Sequence, residues 1–331
     1  MAELDLTLPV PTGRPATPRS LRAGVAGMGR ALPQRVVSND SVAAGIGVDS
    51  RWIERRTGIR ERRFVASGER VSDLAAAAAR AALDDAGLDA TDVDLMLVAT
   101  LAPDELTPNT APPVAHALGT TAAAMDVGAA CTGFLSALAL AAGQIESGRA
   151  RNALVIGAEA MSRFLDMGDR RTAGLFGDGA GAVVLARGAG AVGPVILRSA
   201  GEYAPLIRAT HEEQLIRMEG HDTFVAAVAF LCESTVDACV AADVALDDVD
   251  LFVFHQANAR ILSAVAERLR IDPERVVDAI AGVGNTSAAS LPLALAAADE
   301  DGRLHAGERV LLGAVGAGFT YGATVLDWGR A

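Results

Sequence analysis

One cysteine in a setting of small residues is the first candidate for chemistry. Cys131 lies in V-G-A-A-C-T-G-F-L-S-A-L, just before an apolar run that predicts a buried helix over 132–147. The unpaired amides and the dipole at the start of a helix favour an anion, so we expect a lowered pKa and a nucleophilic thiolate. The preceding glycine and alanines leave room for a substrate. The alternative is a small core residue, the commonest fate of a free cysteine.

Two other polar residues occupy similar positions later in the chain. His255 ends the strand-like run L-F-V-F and opens H-Q-A-N-A-R-I, whereas Asn285 lies in G-N-T-S-A-A-S before a predicted helix over 291–298. Strand ends and helix starts are where α/β folds place ligand-binding and catalytic groups. A structural histidine remains the alternative. The other cysteines, Cys232 and Cys239, have no metal-binding spacing and are predicted to be core residues, so no metal site is expected.

An internal repeat predicts how these residues are positioned. Three segments recur in the same order: 88–98 matches 244–254 and 154–157 matches 310–313, both at an offset of 156 residues, and 181–185 resembles 322–326 further along. Alternating strands and helices with short apolar strands are typical of an α/β unit covered on both faces. We therefore predict a flexible leader over 1–21 and two similar halves, 22–190 and 191–331, related by a pseudo-two-fold axis. This alignment places Cys131 opposite Thr286.

Composition limits the classes of function. The 331 residues carry a net charge of −12, which argues against a broad nucleic-acid surface. The chain contains no lysine, which excludes Schiff-base chemistry and a phosphate-binding Walker lysine. Because every long apolar stretch has polar interruptions, no membrane span is expected. The proline-rich start does not resemble a signal peptide, so a cytoplasmic location with free thiols is predicted.

Several motifs together resemble one known family. In order and spacing, G-A-A-C-T-G-F, F-G-D-G-A-G-A, H-Q-A-N-A-R-I, G-N-T-S-A-A-S and G-A-G-F-T-Y-G are similar to β-ketoacyl-acyl carrier protein synthase III. W-I-E-R-R-T-G-I-R-E-R-R at 52–63 extends the resemblance, which runs from about residue 22 to the end. The resemblance implies the thiolase fold, a five-layer αβαβα sandwich of two similar halves, and a homodimer.

The resemblance also implies a reaction. Cys131 would take an acyl group from an acyl-coenzyme A, with the oxyanion held by the backbone N–H groups of Cys131 and Ala317. Malonyl-acyl carrier protein would follow, and His255 and Asn285 would stabilise the enolate formed as carbon dioxide leaves. That carbanion would attack the acyl-cysteine, with no cofactor beyond the coenzyme A substrate.

Binding residues follow from the same resemblance. It assigns coenzyme A to Trp52, Arg56, Arg170 and Asn258, and carrier-protein docking to Arg260 and Arg268. Three departures are visible: Glu267 replaces a frequent basic residue, Val315 replaces a frequent aromatic one, and the segment 101–110, near the expected acyl pocket, does not indicate an acyl-chain length. The ordinary alternatives are a core role for the tryptophan and solvated surface for the arginines.

Other functions remain open at this point. A related acyltransferase could pass the acyl group to an oxygen or nitrogen acceptor in a natural-product pathway, although the presence of Asn285 favours carbon–carbon bond formation. A non-catalytic partner subunit that binds carrier protein would be expected to lose Cys131. A cysteine hydrolase would turn over its acyl-enzyme in water. The starter acyl group, and the choice between fatty acid and polyketide synthesis, are left undecided.

Overall fold

The structure, a computed structural model, describes residues 22–330, so the predicted leader over 1–21 lies outside the described residues. These residues form fourteen strands and eight helices. The strands are β1 (Ala23–Ala31), β2 (Arg35–Ser38), β3 (Glu61–Phe64), β4 (Leu95–Ala99), β5 (Ala123–Val127), β6 (Asn152–Ala160), β7 (Asp178–Arg187), β8 (Gly190–Val192), β9 (Ile196–Ser199), β10 (Ile207–Arg208), β11 (Arg217–Met218), β12 (Leu251–Phe254), β13 (Arg309–Gly316) and β14 (Thr320–Trp328). The helices are α1 (Asn39–Ile46), α2 (Ser50–Thr57), α3 (Val71–Ala86), α4 (Ala111–Leu118), α5 (Gly133–Glu146), α6 (Gly220–Ala242), α7 (Ala259–Leu269) and α8 (Ser290–Glu300).

Two large sheets repeat one topology. The first has the order β1-β7-β6-β4-β5, with β4 parallel to β5 and β6, and with β7 antiparallel to β6 and β1. In the second, β12 is parallel to β13, while β14 is antiparallel to β13, β8 and β9. A parallel bridge from Phe252 to Val276 stands where β5 stands in the first sheet. The repeated segments fall on matching strands, so the repeat is confirmed. The boundary at 190/191 stays a prediction, and it falls within β8.

Helices cover both faces of each sheet. Within β4, Leu97 packs among residues of α5, α8 and the second sheet, whereas Met96 and Val98 pack against α3 and α4 on the other face. The second sheet is covered on its outer side by α6 and α7. Side chains of a strand alternate between faces, so a strand buried on both faces must be wholly apolar. The order of layers is therefore α-β-α-β-α, the predicted sandwich.

The longest helix, α6, differs from the sequence prediction. By length and hydropathy it could span a membrane, although no such segment was expected from the polar interruptions. The structure buries 56% of its most apolar window, and residues such as Phe230 and Leu231 pack against the second sheet and α7. Such burial is that of a core helix, whose apolar character is explained by packing within the protein.

The glycine-rich F-G-D-G-A-G-A segment is an entry into a strand, as its sequence indicated. Asp178 at the start of β7 is buried and accepts hydrogen bonds from Val65 N (2.8 Å), Ser162 N (2.8 Å) and Ser162 Oγ (2.5 Å). Burial raises the pKa of this carboxyl, against the effect of its donors. In the same segment a Cβ on Gly181 would lie 2.8 Å from Pro292 Cβ and 2.9 Å from Leu293 N, so glycine lets α8 approach the sheet.

Candidate active site

Both halves of the chain line one cavity of about 1190 Å³. Cys131, His255 and Asn285 all line it, although they are distant in sequence. Cys131 lies in the turn that leads into α5, His255 follows β12, and Asn285 precedes the turn into α8. The structure therefore brings together the three residues that the sequence singled out.

The turn that carries Cys131 is held by the second half of the chain. The hydroxyl groups of Thr132 and Thr320 share a hydrogen bond (Oγ1–Oγ1, 2.7 Å), and Thr132 Oγ1 also lies 2.7 Å from the carbonyl oxygen of Ala129. A Cβ on Gly316 would lie 2.8 Å from Cys131 N, so only glycine allows the end of β13 to approach this closely. The N–H groups of Ala317 and of Cys131 itself face the cysteine sulfur and act to lower the pKa of its thiol.

The expected lowering of the cysteine pKa is wrong for the free protein. Burial raises the pKa of the Cys131 thiol to about 11, and the negative charge of Glu159 adds to the increase. Hydrogen bonds from the Ser287 hydroxyl and from two backbone N–H groups act in the opposite direction but are outweighed. Desolvation of the thiolate is therefore a larger effect here than the start of α5, and the resting residue is a thiol.

His255 is buried and uncharged. Its backbone N–H donates to Gly313 O (2.8 Å), which fixes the end of β12 against β13, and the next residue, Gln256, donates its N–H to Ser290 Oγ (2.6 Å). Burial lowers the pKa of the imidazole to about 4. Its Nδ1 has no hydrogen-bond partner within residues 22–330. A neutral imidazole at the wall of a cavity can donate one hydrogen bond without bringing a charge.

Asn285 is oriented by its neighbours. Its backbone N–H donates to Leu175 O (2.9 Å), and its carbonyl accepts from Gly177 N (3.0 Å). The side-chain Oδ1 accepts from Ser287 N (2.9 Å). Because Oδ1 is occupied by a donor, the amide cannot flip without losing this bond, and Nδ2 is left as the donor for the cavity.

Glu159 is a buried acid that the sequence reasoning missed. It is fully buried at the end of β6 and accepts four hydrogen bonds, from Thr100 Oγ1 (3.2 Å), Leu101 N (3.1 Å), Ser287 Oγ (2.9 Å) and Ala288 N (3.3 Å). Burial raises its pKa to about 7 despite these donors. A signal was present in the sequence, since L-V-I-G-A-E-A places one carboxyl in an otherwise apolar strand.

The turns before α5 and α8 also correct the predicted alignment. Each begins with a non-glycine residue in the left-handed region, Ala130 at φ +46° and Ser287 at φ +48°. Three residues later each continues into its helix, at Gly133 and Ser290. The structural counterpart of Cys131 is therefore Ala288 and not Thr286, because the two turns match at an offset of 157 residues, which is two residues beyond the predicted partner.

Some of the predicted binding residues lie at the cavity and others do not. Arg56 and Asn258 line it, and the Arg56 guanidinium lies 4.3 Å from the ring centre of Trp52. Asn258 Nδ2 donates to Arg56 O (3.0 Å), so α2 and α7 are joined beside the cavity. Arg170 instead donates to Ile46 O (2.7 Å) and Gly47 O (2.9 Å) at the end of α1. The assignment of these residues to coenzyme A stays a prediction.

The two predicted docking arginines lie on α7. Arg260 is exposed, lines the cavity and lies 5.8 Å from the ring centre of Phe224, and Arg268 is exposed two turns further along the helix. The cavity also has lining residues to which the sequence analysis assigned no role. These include Leu101, Pro103, Asp104, Glu105 and Leu106 from the unassigned segment 101–110, together with Arg208, His211 and the buried Val315.

Fold and site together define a thiolase-fold condensing enzyme, with a cysteine, a neutral histidine and an oriented asparagine around one cavity. Residues 125–201 match the family model for 3-oxoacyl-[acyl-carrier-protein (ACP)] synthase III, and residues 239–328 match the model for the C-terminal part of the same enzymes. The chain is 48% identical over 320 residues to "Beta-ketoacyl-[acyl-carrier-protein] synthase III 2" of Streptomyces coelicolor, covering 95% of this chain and 96% of that protein.

Solved structures of the same kind of enzyme are similar to this chain. The 3-oxoacyl-[acyl-carrier-protein] synthase III of Aquifex aeolicus superposes with a TM-score of 0.90 at 39% identity, covering 92% of this chain and 100% of that one. A priming β-ketosynthase from the R1128 polyketide biosynthetic pathway gives a TM-score of 0.88 at 34% identity, covering 96% and 98%. The chain therefore belongs to the β-ketoacyl-acyl carrier protein synthase III family, and the resemblance drawn from its motifs is confirmed.

Proposed function

We propose that the protein starts fatty acid or polyketide synthesis by condensing an acyl group from acyl-coenzyme A with malonyl-acyl carrier protein. One observation carries the proposal: the Cys131 sulfur meets two backbone N–H donors in the same cavity as His255 and Asn285. An acyltransferase of this family needs these groups for two half-reactions that share one pocket. The names of the relatives support this reaction, since they include acyl-carrier-protein synthases III and a priming β-ketosynthase of a polyketide pathway.

In the first half-reaction Cys131 attacks the thioester carbonyl of the acyl-coenzyme A. The carbonyl oxygen becomes negatively charged, and the N–H groups of Cys131 and Ala317 stabilise it. Collapse of this intermediate breaks the bond to the coenzyme A sulfur and leaves an acyl-cysteine. Atoms balance because the thiol proton of Cys131 leaves with coenzyme A as its thiol.

In the second half-reaction malonyl-acyl carrier protein occupies the space that coenzyme A has left. His255 and the Asn285 Nδ2 donate to its thioester carbonyl while the bond to the carboxylate breaks and carbon dioxide departs. The enolate carbon then attacks the acyl-cysteine, forms the new carbon–carbon bond and expels the sulfur of Cys131 as a thiolate. One proton from solvent restores the thiol, so the full reaction consumes one proton. Two neutral donors suit this step, because the negative charge that grows on one oxygen is met in a desolvated site.

The neutral state of His255 predicts the pH dependence of decarboxylation. With a pKa of about 4, the imidazole stays neutral as the pH falls through the range where an ordinary histidine gains its proton, around 6.5. We expect the Cys131→Ala variant to release carbon dioxide from malonyl-acyl carrier protein at a rate that is flat between about pH 8 and pH 5.5. A fall in that rate centred near pH 6.5 would show that the histidine titrates normally.

Coenzyme A is proposed to enter past Arg56 and Asn258, with Trp52 beneath the arginine and Arg170 further out. Arg56→Ala is expected to raise the KM for acyl-coenzyme A about tenfold, the effect of losing one charge-assisted hydrogen bond, with little change in kcat. The matched control is Arg55→Ala, since Arg55 is exposed on the same helix and does not line the cavity. Acyl-pantetheine, which lacks the nucleotide, should not distinguish Arg56→Ala from the parent protein, and equal losses with both substrates would refute this role.

Carrier-protein docking and dimer formation complete the proposal. Arg260 at the cavity and Arg268 two turns further along α7 present positive charge, which suits an acidic carrier protein. At the far edge of the first sheet, β5 pairs with β4 alone among the described strands, and Met125 on it is 48% exposed. We propose a second copy of the chain as the partner of this edge, and a cytoplasmic location for the dimer.

The direct test mixes the full-length protein with acyl-coenzyme A and malonyl-acyl carrier protein. The proposal requires one carbon dioxide and one β-ketoacyl-carrier protein for each coenzyme A released. Release of free acid without malonyl-carrier protein would indicate a hydrolase, and transfer of the acyl group to an added alcohol or amine would indicate the alternative acyltransferase. Either result would replace the condensation proposed here.

A further inference from the structure

The first half-reaction needs a base, because the resting Cys131 is a thiol. Its proton must leave before the sulfur can attack. His255 is a poor acceptor for this proton, since burial disfavours its charged form and lowers its pKa to about 4. Another base must therefore lie within reach of the sulfur, either directly or through one hydroxyl group.

A chain of hydrogen bonds leads from the Cys131 sulfur to a buried carboxyl. The Ser287 hydroxyl is a hydrogen-bond partner of that sulfur, and it also lies 2.9 Å from Glu159 Oε1. Ser287 is fully buried, and its left-handed backbone at φ +48° turns the residue between the other two groups. Glu159 has no part in binding either substrate and is otherwise unexplained by the proposed reaction.

We propose that Glu159, acting through the Ser287 hydroxyl, accepts the proton of Cys131 when the acyl-enzyme forms; this inference rests on the proposed function. The thiol proton passes to Ser287 Oγ while the Ser287 hydroxyl proton passes to Glu159 Oε1. The products are a thiolate, an intact serine hydroxyl and a neutral carboxyl. After attack, the proton returns by the same path to the departing coenzyme A sulfur, so Glu159 ends the half-reaction ionised.

The surroundings of Glu159 suit both protonation states. Each carboxyl oxygen meets one backbone N–H and one hydroxyl group: Leu101 N with Thr100 Oγ1, and Ala288 N with Ser287 Oγ. A backbone N–H can only donate, but a hydroxyl group can rotate to accept. The protonated carboxyl can therefore donate to Ser287, which then donates to the thiolate, and no buried polar group loses its partner.

The proton affinities favour Glu159 over His255 as the acceptor. Burial raises the pKa of Glu159 to about 7, which is closer to that of the Cys131 thiol, about 11, than is the pKa of His255, about 4. Proton transfer to the carboxyl is therefore the less unfavourable of the two. The cost is still appreciable, so the thiolate forms only transiently and is consumed by attack on the thioester.

The other ionisable groups around Glu159 do not supply an alternative. Cys131 is its ionisable neighbour across the turn, and β4 carries no ionisable residue. β7 carries Asp178, which is held by Val65 and Ser162, and Arg187 at its far end. Ionisable residues of the two central helices stand at their far ends, as Glu146, Asp299 and Glu300. Those of α3 are all exposed, namely Asp73, Arg80, Asp84 and Asp85.

The test is the pH profile of acylation, measured by rapid quenching and intact mass spectrometry with whichever of acetyl-, butyryl- and isobutyryl-coenzyme A labels the parent protein best. The parent rate should rise with pH through an inflection near the pKa of Glu159, about 7, and then level off. Glu159→Gln and Ser287→Ala should each lower the rate at pH 7 by about 100-fold or more and should lose the inflection. Their rates should instead rise about tenfold per pH unit, since hydroxide must then remove the proton.

A third variant tests the same proposal if Glu159→Gln and Ser287→Ala fold poorly. Thr100→Val removes a donor to Glu159 Oε2 and leaves the path to Cys131 intact, so the inflection should move to higher pH. If the Glu159 carboxyl had only a structural role, acylation would be slower but the inflection of its pH profile would not move. That result in any of the three variants overturns the proposal. No acyl adduct on the parent protein with any coenzyme A thioester would instead refute the proposed function.

Discussion

Replacing Cys131 with alanine is expected to abolish the acyl-enzyme and to lower condensation by at least about 10⁴-fold. The reason is that the variant has no sulfur to carry the acyl group, while both N–H donors and the His255–Asn285 pair remain. Decarboxylation of malonyl-acyl carrier protein should therefore persist. The measurement is the formation of β-ketoacyl-carrier protein beside the release of carbon dioxide.

The matched control is Cys232→Ala, which removes a buried cysteine of α6 that does not line the cavity. This variant should keep both the adduct and the condensation. Retention of condensation in Cys131→Ala would mean that the acyl group passes directly from coenzyme A to the carbanion. The same result would favour the alternative interpretation, in which Cys131 is a core residue.

The second large effect is expected for Asn285→Asp. The substitution keeps the size of the side chain and the Oδ1 that accepts from Ser287 N, but it exchanges the Nδ2 donor for an oxygen acceptor. A carboxylate would then face the oxygen on which negative charge grows. We expect condensation and decarboxylation to fall by about 10³-fold, the loss of one donor with added repulsion, while the acyl-enzyme still forms.

Thr286→Val is the control for this substitution. Thr286 is the next residue in the chain, fully buried, and its hydroxyl has no hydrogen-bond partner within the described residues. Removing an unpartnered hydroxyl should leave the reaction unchanged. If Asn285→Asp condensed at the parent rate, the enolate would have to be stabilised by groups other than the asparagine.

Much of the architecture could be predicted because burial leaves a strong pattern. L-M-L-V (95–98) and L-F-V-F (251–254) are apolar on both faces, and both are buried strands at matching positions of the two sheets. The three residues around the cavity were also predictable, since Cys131, His255 and Asn285 are polar or reactive groups at strand ends and helix starts. Their burial and orientation could not be read from the sequence, because these depend on contacts between the two halves.

The failures have physical causes of the same kind. A lowered cysteine pKa was expected from the start of α5, but burial by the second half of the chain reversed its direction. The alignment with Thr286 missed the turns that begin with Ala130 and Ser287, because left-handed backbone at these residue types gives no composition signal. Glu159 was overlooked because its donors come from segments that meet only in the folded protein.

The most direct test of the central claim follows one acyl group through both half-reactions. The full-length protein is mixed with acyl-coenzyme A carrying a labelled acyl group, and intact mass spectrometry records the protein before and after malonyl-acyl carrier protein is added. We predict one acyl adduct on Cys131 that is stable in buffer, disappears on addition, and reappears within the β-ketoacyl group on the carrier protein. An adduct that hydrolyses without malonyl-carrier protein, or that persists in its presence, would contradict the account.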